Sequence, residues 1–359
     1  MISKPKKNIS KTVLVGIVMG ISFAYLLIFS FYEQLLKELL GSLSFNPGYL
    51  FAGCWIISII IMIFFRSIDK YIKQSHKKIS AITICFFTII VSFCSLPSFF
   101  IGFFMIILAI VTAYFFLLLI SLFNNQKYPV YCIASALISC NLSILLPYIY
   151  NKGNSLKFII CLICIILVTL TLLLQNEHEN KENTSRILIS DLSDHPQYSA
   201  LIALGAFTII FFLLETITYG SIMPEALKIW PAAAGISFVI YIVAVILITL
   251  YISNYGHLSL VGITLSILGL GLIVFILGSN FPYASLISFF IAIIGLALAD
   301  MFYWLSLWTL ALFFNKKPTI SLGMIIYYVL ITVSNFISQS GCFDKLGSNP
   351  VTGMITLSI

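Results

Sequence analysis

Residues 284–314 read ASLISFFIAIIGLALADMFYWLSLWTLALFF. Only Asp300 in this stretch carries a formal charge, and no proline interrupts it. A bilayer core ~30 Å thick needs ~20 apolar residues at a helical rise of ~1.5 Å each. The stretch is therefore long enough to cross a membrane with turns to spare. Similar runs lie near 12–31, 47–65, 79–96, 99–123, 129–149, 156–174, 199–222, 231–252, 259–278 and 319–338. A twelfth begins at 351–359, and at ~1.5 Å per residue it covers about half of a bilayer core. The chain is 61% hydrophobic and 9% charged. Soluble domains are about 25% charged, so a water-soluble fold is excluded. The expected fold class is all-α: a polytopic membrane protein of two six-helix bundles, with helix 12 incomplete.

The charges set a topology. Lys4, Lys6, Lys7 and Lys11 precede the first run as in a signal peptide, but that run is too long for one and no small-residue cleavage site ends it. It reads as a retained helix. Basic residues favour the cytoplasmic side of short loops. With the N-terminus in the cytoplasm, that side collects these four lysines, Arg66, Lys70, Lys73, Lys77, Lys78, Lys127, Lys181, Arg186, Lys316 and Lys317. The other side holds Lys37, Lys152, Lys157, Lys228 and Lys345. This bias accounts for the formal net charge of +7, so residues 1–359 are not expected to bind nucleic acid directly. The expected place is the cell (plasma) membrane, crossed many times.

The longest polar stretch, Gln175–Ser199, contains Glu177, Glu179, Glu182, Asp191 and Asp194 and reads as a solvated linker. It divides the chain into 1–174, a linker 175–198, and 199–359. Seven of the eight cysteines fall inside the runs, where thiols behave as small apolar groups. Cys161-x-x-Cys164 has the spacing of a redox or metal pair, but it sits within a run with no second pair and no nearby His. No phosphate loop, Walker motif or zinc motif occurs. No cofactor, metal or ATP-driven chemistry is expected, and the chain does not read as an enzyme.

Ionisable residues inside a membrane are costly and usually face a cavity or a partner. Asp300 shares a helical face with Tyr303, Trp304 and, a turn on, Trp308. A carboxylate beside aromatic surface suits an amphipathic or cationic ligand, or a protonation site. The alternative is a carboxylate bonded to another helix or kept neutral by burial. Glu215 lies in the outer half of the seventh run, beside Thr216, Thr218 and Tyr219. It suits a proton carrier, or a cap near a turn at Gly220–Ser221. Asn141 and Asn335 occupy runs 5 and 11 and suit bonds between helices or a solute path. Gly262, Gly269 and Gly271 suggest close helix packing in run 9.

A weak repeat joins the halves. Leu108-Ala109 upstream of Tyr114-Phe115-Phe116 returns as Leu296-Ala297 upstream of Phe302-Tyr303-Trp304, 188 residues later. Pro129 and Pro318, each after an Asn-containing polar loop, are 189 apart. The layout of six runs, a charged linker and further runs resembles the major facilitator superfamily. That family carries a Gly-x-x-x-Asp-Arg-x-Gly-Arg-Lys pattern between helices 2 and 3. Here Asp69, Lys70 and Lys73 fall on its acidic and basic positions, while Phe65 and Ile72 replace its glycines. Asn254-Tyr-Gly-His257, the equivalent loop after run 8, has no basic Lys or Arg. The resemblance implies a secondary transporter that moves a small solute by alternating access, in some cases proton-coupled, with Asp69, Lys70 and Lys73 as cytoplasmic gating-loop residues. Asp300, Glu215, Tyr303, Trp304, Trp308, Asn141 and Asn335 are then the substrate or proton-path candidates. Ala299-Asp300-Met301-Phe302-Tyr303-Trp304 is also similar to a run in the tenth helix of facilitator-like membrane domains of LuxR-type regulators. That resemblance implies a membrane sensor whose DNA-binding domain follows helix 12. The partners expected under both are the lipid bilayer and a small molecule.

Overall fold

A computed structural model describes residues 4–31, 46–64, 74–94, 96–123, 126–150, 153–174, 195–255, 260–278, 283–314 and 318–339, with a few isolated positions besides. Backbone N–H and C=O groups in a bilayer core have no water to bond, so each span closes its hydrogen bonds within a helix. The helices are α1 Lys4–Phe31, α2 Pro47–Phe64, α3 Gln74–Phe93, α4 Ser98–Phe123, α5 Pro129–Ile149 and α6 Gly153–Leu173. They are followed by α7 His195–Ile217, α8 Ala233–Tyr255, α9 Leu260–Leu277, α10 Ala284–Phe314 and α11 Pro318–Gln339. Among the described residues, nine helices hold a window long and apolar enough to cross a membrane, and Pro47–Met62 and Gly323–Val333 are shorter apolar stretches. Proline is the first residue of α2, α5 and α11, where the missing N–H costs nothing because the first turn has no acceptor for it.

Several boundaries differ from the sequence reading: α1 starts at Lys4 rather than 12, and α3 at Gln74 rather than 79. Helix α7 starts at His195 rather than 199, because Pro196 is preset for a first helical turn. The expected turn at Gly220–Ser221 is absent. Instead, α7 runs through a π-helical turn, Thr218–Ile222, into a further helical segment, Met223–Ile229. Pro224 has no N–H to return to Gly220, and the Met223 N–H reaches back five residues to the Thr218 carbonyl.

The contacts repeat. In the first half α1 packs on α5, α2 on α4, and α3 on α4 and α6. In the second half α7 packs on α11, and α8 and α9 both pack on α10. Across the halves α2 meets α11 and α5 meets α8. Moving each helix six places along carries α1·α5 onto α7·α11, α2·α4 onto α8·α10 and α2·α11 onto α8·α5. This is the spatial form of the 188-residue offset.

Close packing is concentrated where the glycines of α1 lie. A Cβ on Gly16 would fall 2.0 Å from Ser135 Oγ and 2.2 Å from the Cys132 carbonyl, and one on Gly20 would fall 2.0 Å from the Ala136 carbonyl. Gly16 and Gly20 thus form a small-residue seam against α5. In α9 only Gly271 has a close neighbour, the Ser288 carbonyl of α10, whereas Gly262 and Gly269 face open space. The packing expected from all three α9 glycines holds for one. Outward faces carry large apolar side chains such as Phe99, Phe158, Leu247 and Leu277. Patches of this kind are unstable in water and suited to lipid.

The expected gating-loop residues Asp69, Lys70 and Lys73, most of the linker, and residues 351–359 lie outside the described residues.

Candidate functional site

The site forms where α10 meets its neighbours. Asp300 is 9% exposed, with its carboxylate held by two phenols from different helices. Tyr241 of α8 donates to Oδ2 at 2.5 Å, and Tyr327 of α11 donates to Oδ1 at 2.7 Å. A buried carboxylate without donors would carry a large desolvation cost, and these two bonds offset part of it. Glu215 of α7 lies within electrostatic range of Asp300 and Tyr327. Its Oε2 is sealed from solvent and has no hydrogen-bond partner among the described residues. It sits three residues before the π-helical turn, a kind of irregularity often found at functional sites.

Aromatic rings pack around Tyr327, which bonds Asp300. Tyr327 packs on Trp304 (centroids 5.3 Å apart), Tyr303 (5.2 Å), Phe212 of α7 (5.3 Å) and Phe23 of α1 (5.8 Å). Phe23 also meets Trp304 edge-on at 6.3 Å and Phe116 of α4 at 6.1 Å. Trp55 of α2 extends the chain of rings from Phe116, at 5.9 Å, to Tyr328 of α11, at 4.4 Å. The Tyr328 hydroxyl pairs with Ser30 of α1.

A small cavity of about 30 Å³ opens beside these rings, lined by residues that include Phe23, Phe116, Leu137, Cys140, Trp304 and Met324. It holds one or two waters at most, so a larger solute has no room there in this conformation. Phe116 and Trp304, the end points of the 188-residue repeat, line it from opposite halves.

The structure brings Asp300, Glu215, Trp304 and Tyr303 into one region and gives them different tasks. Trp304 faces the cavity. Tyr303 is buried and donates to the Gly323 carbonyl at 2.7 Å, which ties α10 to α11. Trp308 lies one turn further, and its indole N–H has no partner among the described residues. Asn141 donates to the Leu137 carbonyl of its own helix at 3.0 Å rather than across to another helix. The backbone of Asn335 belongs to α11, and its side chain lies outside the described residues. Sequence reasoning missed Tyr241, Tyr327, Phe23 and Phe116. Two tyrosines side by side within the apolar run of α11 were an available signal. Among the described residues, no group of three or more His, Cys, Asp or Glu could hold a metal ion.

No family model and no curated protein matches the sequence. The structure is similar to the crystal structure of the nucleoside transporter NupG, with a TM-score of 0.52 at 15% identity. The match covers 97% of this chain and 96% of that one.

The chain shares the fold of that transporter structure. At this identity the likeness concerns the path of the helices, and no site residue carries over with it. In this fold Asp300 and Glu215 lie on α10 and α7, in the second half, while the cavity draws its lining from both halves.

Proposed function

We propose that the protein is a secondary transporter that moves a small solute across the cell membrane by alternating access. The two bundles, 1–174 and 199–359, rock against each other about the central cavity. The N-terminus and the linker face the cytoplasm, as the lysine and arginine bias favours. The observation that carries this reading is the buried Asp300, bonded by Tyr241 and Tyr327 beside a cavity lined from both halves. A carboxyl in that place can take up and release a proton as the halves open to either side, and Glu215 lies close enough to exchange influence with it. The fold shared with NupG supports the same reading.

The test is uptake into proteoliposomes under an imposed proton gradient, with a solute panel that includes uridine because NupG is a nucleoside transporter. Gradient-driven accumulation is expected for at least one solute. Asp300→Asn is expected to abolish it while the protein stays monodisperse in detergent. Uptake unchanged in Asp300→Asn would remove the carboxyl from the mechanism. Ligand binding with no uptake of any solute would instead favour the sensor reading.

A further inference from the structure

We infer that the central site takes an organic cation: a protonated or quaternary amine carrying an aromatic or apolar body. This deepens the transporter reading and rests on it only in taking the cavity as reachable when the halves part. Three observations lead to it. First, Asp300 and Glu215 are acidic groups within the spans, and every Lys, Arg and His of the sequence lies at a span end or in a loop. Among the described residues the site therefore holds buried carboxyls and no basic side chain to neutralise them, and an anionic solute would meet like charge whenever either is ionised. Second, one carboxyl oxygen, Glu215 Oε2, is sealed from solvent and has no hydrogen-bond partner among the described residues. A cationic guest would complete it. Third, the cavity is aromatic at Phe23, Phe116 and Trp304, and Tyr327, which packs on Phe23 and Trp304, donates to Asp300. Ring faces attract cations, most strongly when water is excluded. A polyhydroxylated neutral solute needs many hydrogen-bond partners, and the cavity wall of Met, Gly, Phe, Ile, Ala and Leu side chains supplies almost none.

The experiment uses the purified full chain in nanodiscs and probes matched in shape but opposite in charge: tetraphenylphosphonium against tetraphenylborate, and the smaller benzyltrimethylammonium against benzenesulfonate. Binding is read by equilibrium dialysis. Saturable binding of at least one cation is expected, with its anionic mate binding only as it does to empty nanodiscs. Asp300→Asn is expected to weaken the cation by roughly thirtyfold or more, the usual cost of removing one partner of a buried charge pair. Trp304→Leu serves as a second variant if Asp300→Asn fails to fold, and is also expected to weaken binding. Equal binding of both charges, or no saturable binding of either cation, overturns the inference. Uptake of a neutral or anionic solute without cation binding would overturn it and leave the transporter reading standing. Cation binding without uptake would do the reverse.

Discussion

Asp300 sits between two phenols that come from helices on either side of it in sequence, Tyr241 fifty-nine residues before and Tyr327 twenty-seven after. A hydrogen bond to a charged group contributes ~1.5–3 kcal/mol, so loss of either donor is expected to weaken solute binding by about tenfold or more. Tyr241→Phe and Tyr327→Phe are tested by the KM of uptake, with thermal stability in detergent as a control for structural damage. A fall in stability with unchanged KM would mean that the phenols hold the helices rather than the site. Asp300 and Trp304 were legible in the sequence because a carboxylate in an apolar run is conspicuous and its helical neighbours follow from spacing. Tyr241 was not legible, since only tertiary packing brings α8 against that face of α10. Asn141 shows the opposite limit. It stood out by residue type, yet its amide turns back onto its own helix.

At the scale of helices, the seam between α1 and α5 allows the least change. Gly16→Leu or Gly20→Leu would drive a side chain into carbonyl and hydroxyl oxygens only ~2 Å from where its Cβ must lie. Each is expected to cost about 3 kcal/mol or more and to lower the melting temperature in detergent by several degrees. Gly262→Ala, which meets nothing within 4 Å, is the matched control and is expected to leave it unchanged. The π-helical turn gives a second prediction. Pro224→Ala restores the donor that Pro224 lacks, so the segment can relax to regular α-helix. That change rotates Glu215 relative to Met223–Ile229. Uptake is expected to fall several-fold while stability holds or rises; unchanged uptake would make the turn incidental. Most helix positions were read from hydropathy to within a few residues, because backbone in lipid has few alternatives to a helix; α1, which starts eight residues before its apolar run, was not. The continuation past Gly220 was not, because a glycine-serine pair before a proline reads as a turn unless neighbouring helices hold the chain straight.

Across the whole molecule, the rings from Trp55 through Phe116, Phe23 and Trp304 to Tyr327 join the two halves. The Ser30–Tyr328 hydroxyl pair and the Tyr148–Phe238 contact add further ties between them. Halves joined this way must break these contacts to part. Cys140 lines the cavity and is buried, so it reports opening directly. With Cys140 kept as the sole cysteine, Ser30→Ala is expected to raise its labelling by a membrane-impermeant maleimide by about fivefold, the population shift that ~1 kcal/mol gives. Equal labelling in both proteins would show that the pair does not hold the closed state.

The sequence by itself determined that the chain is helical and membrane-spanning, and where most helices begin. Those properties follow from local hydropathy, prolines and charge, and a bilayer enforces them strongly. Only the tertiary structure decided which rings meet at the centre and that Asp300 is held by Tyr241 and Tyr327. Those contacts join helices far apart in the chain, and apolar runs of similar composition do not encode in their local pattern which faces will meet.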